Sequence, residues 1–205
     1  MALVGLYDSY LALVDSDTQE ILTGNNGLSD TGVLEIGHKY LGTNEASISN
    51  LQGKVESISG NDQIQGEYLD PAQPTVDYTV NNLDFAIKQQ LLGYTQTGIG
   101  WEPSGTLPHV GLIIVSRTLD LKNKIYYAFP NGVLTLSKLD LKTNDGSKTN
   151  VVTDALSYTA QSADSIGGQT HKTYIDSADN FTLDAMFKEL WSNYSASTTT
   201  TTSGS

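Results

Sequence analysis

From Ala46 to Val80 a two-residue period becomes readable, in runs no longer than a strand, and glycine, asparagine or proline closes each run. Ala46 and Ile48 alternate with polar neighbours. Val55-Glu56-Ser57-Ile58, then Ile64 to Leu69, then Thr75 to Val80 continue the pattern. A two-residue period fits a pleated, half-buried ribbon and cannot form the stripe of a core-facing helix, so the spacing predicts a mainly antiparallel β-sandwich or barrel. The 19 glycines, the 11 tyrosines and the abundance of Thr, Ser and Asn agree with many short strands joined by turns. At 205 residues the chain has room for one domain with a sizeable core.

The period changes twice. Leu83, Ile87 and Leu91 share a helical face with Phe85 and Leu92 beside it, and Gly93 follows as a C-cap, which predicts a short helix over 83–92. Leu183, Met186, Phe187, Leu190 and Trp191 predict a second helix within 181–194, capped by Asn180 or Thr182; its stripe is expected to cover the domain's own sheet. Between the helices, 94–108 reads as a Gly/Thr/Pro loop, and strands are expected at 110–118, 124–129, 133–136, 151–160 and 172–175. Residues 138–150 read as a polar, basic excursion. Leu3 to Val14 alternates weakly and suits either an arm or a strand. The expected organisation is an N-terminal arm and turn-rich region over 1–38, a β-domain over 39–194, and a flexible Ser/Thr tail over 195–205.

Charge narrows the function. The net charge is -12 and Arg117 is the only arginine, so a surface of clustered phosphate contacts is not expected. Thirteen acids precede residue 88 against Lys39 and Lys54, whereas 88–148 carries seven cations against four acids. Patches of opposite sign can meet between copies of one protein. No cysteine is present, so no disulfide or thiolate chemistry is available. The first residues lack the basic and apolar regions of a signal peptide, and the 110–115 run is too short to span a bilayer; a soluble protein is expected.

Catalytic motifs are missing. His38, His109 and His171 share no ligand spacing, and Gly98 to Gly105 lacks the Gly-Lys-Ser/Thr ending of a phosphate loop, which leaves Trp101 a structural role against the domain. There is no Gly-x-Ser-x-Gly elbow, and Asp15 with Asp17 is one carboxylate pair among 23 acids. The sequence therefore predicts no enzyme, no cofactor and no metal site.

One resemblance spans nearly the whole chain except its Ser/Thr tail. Val4-Gly5-Leu6-Tyr7-Asp8-Ser9-Tyr10-Leu11-Ala12 opens it; Leu91-Leu92-Gly93-Tyr94, Pro108 to Ile113, Lys124 to Val133, Lys142-Thr143 and Thr153 to Thr159 follow in order. This order is similar to that of the major tail proteins of long-tailed siphophages infecting Gram-positive bacteria. The resemblance implies a tail-tube β-sandwich or barrel with a flanking helix, an N-terminal arm and a long inter-strand loop. It implies rings of six whose inner strands form a β-lined channel, and a non-contractile tube of stacked rings through which DNA passes without specific binding. By the same resemblance the partners are further copies of the chain, a tape measure protein, and tail terminator and distal tail proteins. The place is the virion, assembled in the bacterial cytoplasm, with no membrane partner. The candidate contacts between subunits are Leu3, Val4, Leu6, Tyr7 and Tyr10 of the arm, expected to be mobile in a lone subunit, and Lys138, Lys142 and Lys148 of the excursion, expected to meet acids from 1–87 of another copy. Other readings are the inner tube of a contractile tail or tail-like bacteriocin, a carbohydrate- or receptor-binding β-module using its tyrosines, Trp101 and Trp191, and a carboxylate or histidine hydrolase.

Overall fold

The computed structural model describes residues 2–139, 141, 143–144 and 152–196. Along the chain run β1 (Leu3–Val14), β2 (Val33–Glu35), β3 (Thr43–Ser49), β4 (Val55–Gly60), β5 (Gln63–Leu69), β6 (Thr75–Val80), α1 (Phe85–Leu91), β7 (Tyr94–Thr97), β8 (Gly100–Pro103), β9 (His109–Thr118), β10 (Lys124–Phe129), β11 (Gly132–Lys138), β12 (Asp154–Ala160), β13 (Lys172–Ile175) and α2 (Leu183–Leu190). The fold is mainly β and antiparallel, as the two-residue period predicts.

Nine strands hydrogen-bond in the order β13-β10-β9-β11-β12-β6-β3, with β1 on the free side of β9 and β2 on β1. Only the pair Val133–His109 joins β11 to β9. At that hinge the sheet doubles back, so β13-β10-β9-β1-β2 faces β11-β12-β6-β3 as the two layers of a sandwich. Leu11, Leu13, Val110, Leu112, Ile114 and Phe129 from the first layer meet Val76, Tyr78, Leu134, Leu156 and Tyr158 from the second, all buried. At roughly 1.5–3 kcal/mol for each large apolar side chain buried, this interior dominates the stability.

β9 has no polar face because both its faces are covered. Val110, Leu112 and Ile114 point into the sandwich, whereas Ile113 and Val115 pack under α2 with Met186, Phe187, Leu190 and Trp191. The helix starts at Thr182, whose hydroxyl accepts from the Ala185 N–H at 3.0 Å. It ends at Trp191, which turns to extended backbone so that its indole N–H donates to the Pro130 carbonyl at 3.1 Å. The stripe over 181–194 thus covers the domain's own sheet.

The corner Pro130-Asn131-Gly132 carries the chain from one layer to the other. Tyr158 reaches across it, donating within reach of the Val110 and Phe129 carbonyls at 3.0 and 3.3 Å. A side chain at Gly132 would stand 2.4 Å from that phenol oxygen, so only glycine fits. Asn131 Oδ1 accepts from His109 Nδ1 at 2.8 Å, and its amide nitrogen donates to the Ser162 carbonyl at 2.9 Å. At the other end α1 plugs the sandwich with Leu91. Asp84 caps it, and Lys88 ties it to Asp154 on β12 at 2.8 Å. Gly93 lies just past the helix at φ 75°, where the close Thr106 carbonyl also leaves no room for a side chain.

Two expectations are corrected. Residues 94–108 contain the β7–β8 hairpin, with Trp101 edge-on to Phe85 of α1 at 6.3 Å. Residues 3–14 form a strand paired with β9 along its whole length, and Leu11 to Val14 are buried. Residues 3–14 are therefore tied into the body as a strand, where a mobile arm was expected. The weak alternation there has a local cause. Gly5 adopts φ 63°, its carbonyl accepts from Ser116 Oγ at 2.7 Å, and the register shifts on both sides of Leu6, re-aiming Tyr7 outward. Lys142, Lys148 and most of the excursion and tail lie outside the described residues. No helix among the described residues is long and apolar enough to cross a membrane.

Candidate functional site

Among the described residues no group of three His, Asp or Glu converges. A groove of about 560 Å³ runs past Gln19, Pro71, Gln73, His109, Asn131 and Thr170, and its lining offers amides, hydroxyls and an imidazole but no carboxylate. The distinctive features of the surface are three extended faces.

The first is the outer face of β11-β12-β6-β3. Strand register sorts its side chains into rows. Ser49, Thr75, Thr159 and Val133 make one row; Ser47, Asp77, Ser157 and Thr135 make the next. A third runs from Glu45 through Thr79 and Ala155 to Lys138. The side chains are short and mostly hydroxyl-bearing, with acids at Glu45 and Asp77 and the single cation Lys138 at the margin. Beneath them Tyr78, Tyr158, Val76 and Leu156 anchor the strands in the core. Buried Ser9 stands 2.8 Å from the Tyr78 hydroxyl, which burial pushes up to about 12. Among the described residues β3 pairs on one side only, and beyond Val133 β11 pairs with β12 alone. This layer has two edges open to another strand.

The second face is the β4–β5 hairpin, which among the described residues pairs with no other strand. Asn61 and Asp62, at φ 50° and 61°, form its tight turn. Val55, Ile58, Ile64, Tyr68 and Leu69 are each more than half exposed. Glu56, Asp62, Glu67 and Asp70 make it acidic, against Lys54 alone, which pairs with Glu56.

The third face lies where β1 begins and β9 turns into β10. Leu3, Val4 and Tyr7 are exposed there beside Leu119 and Leu121. Arg117 lies 3.6 Å and Lys124 4.6 Å from the centre of the Tyr7 ring. Both distances are within cation–π range. Asp8 and Glu35 sit behind this cluster. Burial, then the Asp8 charge and the hydrogen bond to it, raise the Glu35 carboxyl above its ordinary range. Folding thus favours its protonated form, so the stability Glu35 contributes is present in acid and fades as pH rises through the raised value. Tyr10, beside the pair, is raised by burial first and by Asp8 second.

Of the residues expected at contacts between subunits, Leu3, Val4 and Tyr7 come together on this third face. Leu6 packs against the sandwich core and Tyr10 meets Phe187 edge-on at 5.5 Å, so both are engaged within the subunit. Lys138 lies at the end of β11, on the first face. Sequence reasoning found the strands of the 55–69 hairpin but missed that they stand apart. The available signal was apolar content on both faces, since Val55 and Ile58 differ in parity, as do Ile64 and Leu69.

A family model described as phage tail tube protein matches residues 1–199. No curated protein matches the chain.

Proposed function

We propose, from the premise that this chain belongs to the phage tail tube protein family, that it polymerises into stacked rings of six enclosing a channel for DNA. Its structural role in the tail tube follows from the family; the ring, the channel and the arrangement of its faces are our reading. One observation carries that reading: a four-stranded layer with two open edges and an outward face of short hydroxyl side chains.

Neighbouring strands in that layer alternate in direction, so β11 of one copy beside β3 of the next is again an antiparallel pair. Repetition around a ring closes the edges that would otherwise invite aggregation. Kept in register, the third row then continues from Lys138 of one copy to Glu45 of its neighbour, an acid within 1–87 as the charge asymmetry predicts. Lys142 and Lys148 belong to the same proposal.

The closed layer faces the channel. DNA sticks to protein by releasing counterions to clustered cations, and rows of Ser and Thr with Asp77 and Glu45 supply few. The DNA slides. By the resemblance of its sequence we assign the chain to non-contractile tails of siphophages of Gram-positive bacteria. Tape measure, terminator and distal tail proteins are then its partners, in a virion assembled in the host cytoplasm.

The chain has no cysteine, so Ser157→Cys places a unique thiol on the proposed inner wall. Dispersed subunits should react with both a small maleimide and a polymer-bearing one. Intact tubes should admit only the small reagent. Equal labelling of intact tubes by both reagents would put this layer on the outside and overturn its assignment.

A further inference from the structure

We propose that the β4–β5 hairpin of one copy seats on the Tyr7–Arg117–Lys124 face of a copy in the adjacent ring; the inference rests on the tube reading and supplies its stacking contact. The two surfaces lie at opposite ends of one body. The hairpin base, at Pro71 and Gln73, borders His109 and Asn131 in the same groove, at the start of β9. The basic face surrounds the other end of β9, where Leu3 pairs with Thr118 and Val4 with Arg117. Ten strand residues separate the ends, roughly 33 Å at the usual rise.

A two-stranded hairpin outside any larger sheet is marginal in water, and this one exposes large apolar side chains on both faces. It needs cover. Its four acids and one lysine fit a surface that is apolar at Leu3, Val4, Leu119 and Leu121 and carries Arg117, Lys122 and Lys124 against Asp120, whose carboxylate is turned onto Thr118 and the Lys122 N–H. A hairpin seated on a second hairpin would instead set acids against acids, which disfavours a closed two-fold dimer. Joining one end to the opposite end of the next copy is a heterologous contact that propagates without closing, the symmetry a growing stack requires. Tyr7 holds Arg117 and Lys124 over its ring, so the cations are positioned before the partner arrives.

Charge reversal tests the pairing. Glu56→Lys with Glu67→Lys on the hairpin, or Lys122→Glu with Lys124→Glu on the opposite end, should each raise the concentration needed for polymerisation about tenfold or more. The four substitutions together should restore it most of the way. All four positions are outside the core, so each variant should keep the wild-type thermal transition, which confirms that the subunit is folded. Tubes that sediment equally well in all variants would overturn the inference and leave the tube reading standing. Failure of the combined variant where each pair alone is impaired would also overturn it. A wild-type chain that never polymerises would overturn both.

Discussion

A chain lacking residues 1–13 is expected not to fold. β1 supplies Leu11, Ala12 and Leu13 at 0%, 0% and 6% exposure, and it pairs with β9 at ten positions. Its deletion opens both cores at once, since Leu11 and Leu13 face the sandwich while Ala12 faces α2. It also strips Tyr78 of Ser9 and leaves one side of β9 without a partner strand. Truncating one buried leucine costs about 2–5 kcal/mol. A whole domain is stable by about 5–15 kcal/mol, so losing the strand exceeds what the fold can tolerate. The deleted chain should be insoluble, or soluble without a cooperative thermal transition in near-ultraviolet circular dichroism. A sharp transition near that of the intact chain would show that β1 is an accessory arm.

Trp191→Ala should destabilise the subunit by about 3–5 kcal/mol, lowering the urea midpoint without abolishing folding. The indole is 1% exposed, stacks on Phe187 at 6.3 Å and lies so close over Gly111 that a Cβ there would be 2.2 Å from its ring. The substitution leaves a cavity between α2 and β9 and takes the N–H donor from the Pro130 carbonyl at the corner between the layers. Trp191→Phe should fall between alanine and wild type, because it refills part of the volume without restoring the hydrogen bond. A loss below about 1 kcal/mol for the alanine variant would mean that the helix adds little to the sheet.

The sequence disclosed the strands wherever one face was buried and the other wet. β6, read as Thr75 to Val80, keeps strict alternation because Val76, Tyr78 and Val80 point inward and Asp77 outward. β13 and the body of α1 were legible for similar reasons: a short apolar ribbon, and a helical face ended by glycine. Periodicity was silent where both faces are covered. Val110 to Val115 shows that a strand is present but not that α2 lies on it. At β1 the bulges around Leu6 broke the alternation, so a core strand resembled an arm. At 94–108 the four-residue strands are too short for any period to emerge, and their residues are largely exposed.

Of the candidate contacts, the exposure of Leu3, Val4 and Tyr7 together depends on Gly5 and its bulge, a feature set by pairing with β9. The gathering of Arg117 and Lys124 around Tyr7 cannot be read along the chain, and the separation of the 55–69 hairpin shows there only as apolar residues of both parities. Both arise from long-range strand pairing. Charge asymmetry was legible in outline. The rows on the outer face emerged only with the register that aligns Glu45 with Lys138.

The most direct test of the account is a cryo-electron microscopy reconstruction of the polymerised chain. Stacked rings should appear, with Asp77, Ser157 and Thr159 on the inner wall, β3 of each copy beside β11 of its neighbour, and α2 away from the channel. A tube whose inner wall is formed by α2 and β13, or a polymer with no continuous lumen, would contradict it.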